Sequence, residues 1–283
     1  TILYGEPWSA LPPQLDPAFQ MRKGAQKGMK ISAFNDHFRN AIKGDNDGHT
    51  PGFINGIDHC VQGIKKGVVG GINYSQEIND FTQSPRESVN YVSAHDNLNL
   101  WDKINKISQD EDDSIKIKMD KMAQAIIFTS QGIPFIQGGE EFLRTKFGNP
   151  NSYNAGDKIN KFSWKLKTEN NTVFKYYKGL IEMRKRHAAF RMKRAAQVKE
   201  SLQFVQSPHN TVAFKLEDIS DDSNQHIIVL YNPNREAKRF DISEGKWGII
   251  VDDMRAGALP FNYFTGDNVT VSPVSVMVLT SQN

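Results

Sequence analysis

A single cysteine, Cys60, stands among 283 residues. An internal disulfide is therefore excluded, and Cys60 has no nearby His or Asp spacing that marks a nucleophile or metal site; its ordinary role is that of a small buried hydrophobe. No apolar run approaches the roughly 20 residues that a membrane-spanning helix requires. Nor is there an excess of either charge. The 35 Lys and Arg and 32 Asp and Glu are well mixed and leave a net charge of +3, whereas nucleic-acid binding calls for clustered Lys and Arg. Internal repeats and low-complexity linkers are missing as well, which removes solenoids and disordered tails from consideration. What is present is an ordinary globular composition, 38% hydrophobic and 24% charged. The length suits one large domain, or one and a half of common size.

Residues 1–192 alternate short apolar runs with helical stretches, the pattern of βα units on a parallel sheet. "TILYGE" reads as a strand, and "KISAFND" as a second that leads into the short helix "HFRNAIKG", stopped at Gly44. "SVNYVSAHDN" is a third strand. Met119, Met122, Ala123, Ile126 and Ile127 then share one helical face, with Gly132 placed as a C-terminal cap and Pro134 opposing continuation. "IPFIQGGEE" is a fourth strand. A last amphipathic helix carries Val173, Phe174, Tyr177, Leu180 and Ile181, with Arg184, Lys185 and Arg186 favourably placed in its final turn. From residue 193 the texture changes. "SLQFV", "TVAFKL", "HIIVLYN", "WGIIVD" and "VSVMVLT" are short β runs broken by turn residues such as "SPHN" and "NPN". Residues 193–283 are thus expected to form an all-β sandwich.

All four strand-like runs of the first part end in polar or acidic groups: Glu6, Asn35 with Asp36, His95-Asp96-Asn97, and Glu140 with Glu141. A lone strand-end acid is commonly structural. Four in agreement point to a site, because in a (β/α)8 barrel the chemistry gathers at the carboxyl ends of the strands. Facing carboxylates suit acid–base work, since burial can hold one protonated while another stays ionised.

"YGEPW", "FNDHFRNAIKG", "NYVSAHDN" with "LWDK", "GIPFIQGGEEFLRTK" and "NSYNAGD" follow one another in an order that resembles the type I pullulanases, debranching enzymes of the α-amylase superfamily. The resemblance covers essentially the whole chain. It implies an α/β fold in which residues 1–192 are the second half of a (β/α)8 TIM barrel, strands five to eight, followed by the β-sandwich. It implies hydrolysis of α-1,6-glucosidic links in pullulan and branched α-glucans by a retaining mechanism. Glu6 matches the family's general acid/base, and Asp96 its transition-state-stabilising carboxylate. His95 matches the residue that holds sugar hydroxyls, and Trp8 an aromatic platform at the cleavage point. Asn154 and Asp157 fall where the family lines the donor side. Arg144 is a further substrate-side candidate, or else a salt-bridge partner of Glu140 or Glu141.

One element of the family's pattern is not matched. Its nucleophile is an Asp on the fourth strand, ahead of the Glu strand, and the third-strand Asp-x-x-x-Asn-His motif precedes that again. A retaining glycosidase needs two carboxylates about 5 Å apart, and only one of that pair has a counterpart here. The expected partners are therefore an α-glucan substrate and the N-terminal half of the same enzyme, with no nucleic acid or membrane, and the chain alone is expected to be inactive. No cofactor is required, and no structural calcium site is indicated. "DEDDS" (110–114) reads as a solvated loop, "GDNDG" (44–48) as a turn without the later Glu of a calcium loop, and "KKGVVGG" (65–71) as a loop near the rim. His187 and His209 have surface or packing roles by default. Other readings are an isoamylase-like or related glucan hydrolase, and a non-catalytic α-glucan-binding polypeptide that uses Trp8 and neighbouring aromatics for stacking.

Overall fold

Short strands alternating with one-sided helices build the first part of the chain, described by a computed structural model that covers residues 1–9, 15–217 and 226–281. Strand β1 (Tyr4–Gly5) is followed by β2 (Ser32–Phe34), helices α1 (Asp36–Lys43) and α2 (Val61–Val68), and β3 (Ser88–Asn90). Helices α3 (Leu100–Ile107) and α4 (Asp113–Thr129) lead to β4 (Ile133–Pro134). The four strands form one parallel sheet in the order β1-β2-β3-β4. Tyr4 lies opposite Ser32, Phe34 opposite Val89, and Val89 opposite Ile133.

Alternation along these strands separates the two faces. One face carries aromatic rings in edge contact: Phe34 lies 4.8 Å from Tyr91, 5.2 Å from Phe135 and 5.7 Å from Tyr4 between centroids. The helices supply the larger core, where Phe38, Ile42, Ile64, Val68 and Ile126 are buried together. Ile2, just ahead of β1, and Ile133 in β4 line the same hollow of about 420 Å³.

Local chemistry sets the helix ends. The Asn35 side chain accepts from the Phe38 backbone N–H at 2.9 Å and caps α1. Gly44 closes α1 at φ +82°, a conformation that glycine adopts without strain. Helix α4 is longer than its apolar stripe suggests. Asp113, from the acidic stretch expected as loop, occupies its first turn, where the helix dipole favours a carboxylate. The helix ends at Thr129 with Ser130 as its cap. Gly132 (φ +112°) lies beyond that cap, and Pro134 sits inside β4 rather than merely ending the helix. "KKGVVGG" is likewise not a loop: its first four residues complete α2, and Gly67 lies against Phe38 with no room for a Cβ.

Helices α5 (Asp157–Asn160), α6 (Trp164–Glu169), α7 (Asn171–Arg186) and α8 (Ala195–Ser201) complete the helical set. The remaining strands are β5 (Leu202–Phe204), β6 (Val212–Glu217), β7 (His226–Asn232), β8 (Lys238–Val251), β9 (Asn262–Val271) and β10 (Ser275–Ser281). They form an all-β region, as expected, but the two separate sheets of a sandwich are replaced by one hydrogen-bonded antiparallel sheet, in the order β5-β6-β7-β10-β8-β9. The long β8 shifts register between Asp241 and Gly245. This irregularity lets Phe240 and Val271 of the β8/β9 hairpin pack with Leu230 and Met277 of the same sheet. The opposite face joins the helical core, and there the Tyr231 hydroxyl lies 2.6 Å from Thr129 Oγ1 of α4.

Candidate active site

Three of the four parallel strands deliver side chains to one rim. Glu6 follows β1 directly, Asp36 opens α1 after β2, and His95-Asp96-Asn97 lie on the segment that leaves β3. Glu6, His95 and Asp96 each present a donor atom within 4.8 Å of the others, and all three are exposed. His95 Nε2 stands 3.5 Å from Asp96 Oδ2. Among the described residues this is the set whose spacing suits a cation; two facing carboxylates and an imidazole are equally the equipment of acid–base chemistry.

Glu6, Trp8 and Asp96 share a cleft of about 240 Å³ whose lining also includes Arg39, Lys43, Tyr91 and Ser93. Trp8 is part-exposed, 43% accessible, leaving its ring available for stacking. Phe34 and Tyr91 bring the aromatic face of the sheet into the cleft. Arg39 donates to the Tyr91 hydroxyl at 2.6 Å, and its guanidinium lies 5.3 Å from the Tyr91 ring. Asp36 is paired with Lys23.

Glu140 is the buried member of the strand-end acids. It lies 2.5 Å from the donating Ser93 hydroxyl, and it accepts from Gln124 Nε2 at 3.2 Å and from the Gln137 backbone at 3.1 Å. Burial pushes its carboxyl up to about 8. Lys43, fully buried, donates to the Leu98 carbonyl at 3.4 Å, and burial lowers its ammonium to about 7. Glu141 turns aside to accept from the Gly139 N–H.

Four sequence candidates lie outside the cleft lining: Asn154, Asp157 and Arg144, together with His95, which stands beside Asp96 at its edge. Asn154 is exposed on the loop that runs into α5, and Asp157 is exposed as the first residue of α5. Arg144 bonds neither Glu140 nor Glu141. Its Nη1 donates to the Gly138 carbonyl at 3.2 Å and its Nη2 to the Asn160 carbonyl at 2.7 Å, with the guanidinium 4.4 Å from the Phe162 ring centroid. The alternative reading as a salt bridge is thereby corrected: the planar fork is taken up by carbonyls and an aromatic face, and it ties the end of α5 to the segment after β4.

Sequence reasoning overlooked the residues that hold the Asp96 turn. Asn97 sits in the left-handed region at φ +64°. Its side-chain amide donates to Asp47 Oδ2 at 2.6 Å and accepts from Asn46 at 3.0 Å. The next backbone N–H, of Leu98, donates to Asp47 Oδ1 at 2.7 Å. From the other side Lys146, 1% exposed, donates to the carbonyls of His95 (3.2 Å) and Asn97 (2.5 Å). The sole sequence signal is the Asp-rich "GDNDG" stretch, which by itself carries no mark of its link to the site.

Comparison with known proteins bears on all of this. The family described as the pullulanase all-beta domain matches residues 198–255. A curated pullulanase of Bacillus subtilis (strain 168) is 34% identical over 239 residues, covering 83% of this chain and 33% of the relative. A solved structure of a pullulanase from Bacillus acidopullulyticus superposes with a TM-score of 0.94 at 42% identity, covering 99% of this chain and 34% of that one. A pullulanase from Paenibacillus barengoltzii, solved in complex with maltohexaose and α-cyclodextrin, gives a TM-score of 0.88 at 37% identity, covering 100% of this chain and 43% of that one. The chain thus spans about a third of the curated relative from B. subtilis.

Proposed function

Because the chain belongs to the pullulanases, where it corresponds to a C-terminal portion, we propose that it supplies one half of an active site for hydrolysing α-1,6-glucosidic linkages. The substrates are pullulan and branched α-glucans, and the mechanism is retaining. In this reading β1 to β4 are strands five to eight of a (β/α)8 barrel, residues 1–192 being its C-terminal half, and residues 193–283 are a C-terminal β domain. The observation that carries the proposal is the convergence of Glu6, His95 and Asp96 within 4.8 Å at the carboxyl rim of a parallel sheet, beside an exposed Trp.

Glu6 is the general acid that protonates the leaving oxygen, and afterwards the base that activates water. Asp96 stabilises the oxocarbenium-like transition state, His95 holds sugar hydroxyls, and Trp8 stacks on a sugar ring at the cleavage point. Asn154 and Asp157 serve the donor side from their exposed positions, and Arg144 acts there by holding the end of α5. The nucleophile comes from a preceding strand outside these residues. Asp36 is engaged by Lys23, and Glu140 is buried beneath its hydrogen bonds, so neither is free to attack. The chemistry asks for no cofactor.

Reducing-sugar release from pullulan tests the reading, with the 283-residue chain assayed alone and together with a polypeptide carrying the preceding barrel strands. No turnover alone and clear turnover together are expected. Turnover by the chain alone would overturn the assignment of the nucleophile to another segment.

A further inference from the structure

The support of the Asp96 turn is itself built around a buried cation. Lys103 of α3 has no solvent exposure. Its ammonium donates to Asp45 Oδ1 at 2.5 Å, to the Gly48 carbonyl at 3.0 Å and to the Thr50 carbonyl at 3.1 Å. One carboxylate and two carbonyls form an all-oxygen set of the kind that holds a hard metal ion, and here all three ammonium protons fill it. Lys106, one turn further along α3, donates to the Asp47 carbonyl. Residues 45–50 are therefore folded around two lysine side chains, and the carboxylate of Asp47 is aimed at Asn97 and Leu98.

We propose that Lys103 is an internal cation standing where a metal would otherwise organise this loop, and that Lys103, Asp47 and Lys146 are positioning residues for the carboxylate of Asp96. The proposal rests on the reading of Asp96 given above. The physical need is plain. Asp96 is 59% exposed on its side chain and belongs to no helix or strand, so its placement depends on the backbone on either side. Asn97 is held in a conformation that most residues avoid. The Asp47 carboxylate binds it through its side chain and the following N–H, while Lys146 binds the carbonyls flanking Asp96. Release of either clamp frees the carboxylate that must face the developing charge.

Lys103→Met, which keeps the length and removes the charge, and Asp47→Asn are the two variants to compare. In the 283-residue chain each should raise amide hydrogen exchange at Leu98, a readout independent of catalysis. In the pullulan-hydrolysing assembly each should lower kcat by about 10- to 100-fold, as expected of a misplaced group, with KM changed less than about twofold. Ethylammonium should partly restore activity to Lys103→Ala, which leaves a vacancy, but not to Lys103→Met, which fills it. Unchanged Leu98 protection in both variants, or losses in activity that merely follow the fraction of folded protein, would overturn the proposal. Absence of pullulan turnover in the wild-type assembly would instead count against the reading of the site, while the exchange data would still decide whether Lys103 and Asp47 support the turn.

Discussion

Two carboxylates near the rim occupy opposite environments, and each sets a testable expectation. Glu6 is exposed at the cleft, where it can meet a leaving oxygen and then exchange its proton with water. In the complete assembly, Glu6→Gln should lower pullulan hydrolysis by about 10²- to 10⁴-fold, the usual worth of a positioned acid. A substrate with a good leaving group should lose less, because it needs less protonation; equal losses on both kinds of substrate would mark Glu6 as structural. Glu140 is buried, and its carboxyl is raised from 4.5 to about 8 chiefly by burial. Between those values the unfolded chain ionises this group while the folded chain keeps it protonated. Its contribution to stability is therefore full below about pH 4.5 and is lost as pH rises towards 8. Glu140→Gln should remove that slope, so urea midpoints of wild type should fall more than those of the variant from about pH 5 to 8. Asp120, also raised by burial, to about 7, remains in both proteins and leaves a shared residual slope. Lys43, lowered to about 7, acts in the opposite sense above that pH, its contribution being lost as pH falls from 10.5 through 7. Parallel curves for the two proteins would show that Glu140 is ionised in the folded state.

At the scale of elements, α1 and α2 meet where Gly67 lies on the ring of Phe38. A Cβ at residue 67 would fall 1.9 Å from Phe38 Cδ2, and Phe38 is itself buried in the main cluster. Gly67→Ala should gain about 1 kcal/mol of helix propensity but lose about 1–3 kcal/mol to overpacking. The expected net result is a lower urea midpoint with an unchanged slope; a higher midpoint would show that the ring can yield. This contact also illustrates what was legible in the chain. The end of helix α1 was marked by Gly44, and α4 and α7 by their apolar spacing, because those signals are local. Strand β9 escaped notice because "NYFTGDNVTV" has no apolar run and pairs on one side with β8. The bent hairpin that replaces a second sheet depends on the Asp241–Gly245 irregularity, which no periodicity displays. The strand ends drew attention to Glu6, His95 and Asp96, which the fold brings within 4.8 Å of one another. Their supports, Asp47, Lys103 and Lys146, lie about 50 residues from their partners, and only folding brings those pairs together.

Among the described residues the parallel sheet of the whole molecule ends on an unpaired strand at either edge, β1 and β4. Ile2 and Leu3 are each 60% exposed and Tyr4 is 53% exposed, and β1 has β2 as its only ladder partner among the described residues. The hollow between Ile2 and Ile133 is mostly apolar, with Phe128, Ile181 and Met192 on its walls. An unpaired strand edge beside exposed apolar surface favours association, with other copies or with the segment that completes the sheet. The chain alone should therefore gain mass with concentration in light scattering. The double substitution Ile2→Lys and Leu3→Lys places two charges on that edge, where pairing with another strand would have to bury them. It should reduce self-association while leaving the fold of residues 15–217 intact, since neither side chain belongs to a buried cluster. By the same reasoning it should abolish the pullulan hydrolysis gained on adding the preceding strands. Complementation by the double variant as strong as by wild type would place the association surface elsewhere on the molecule.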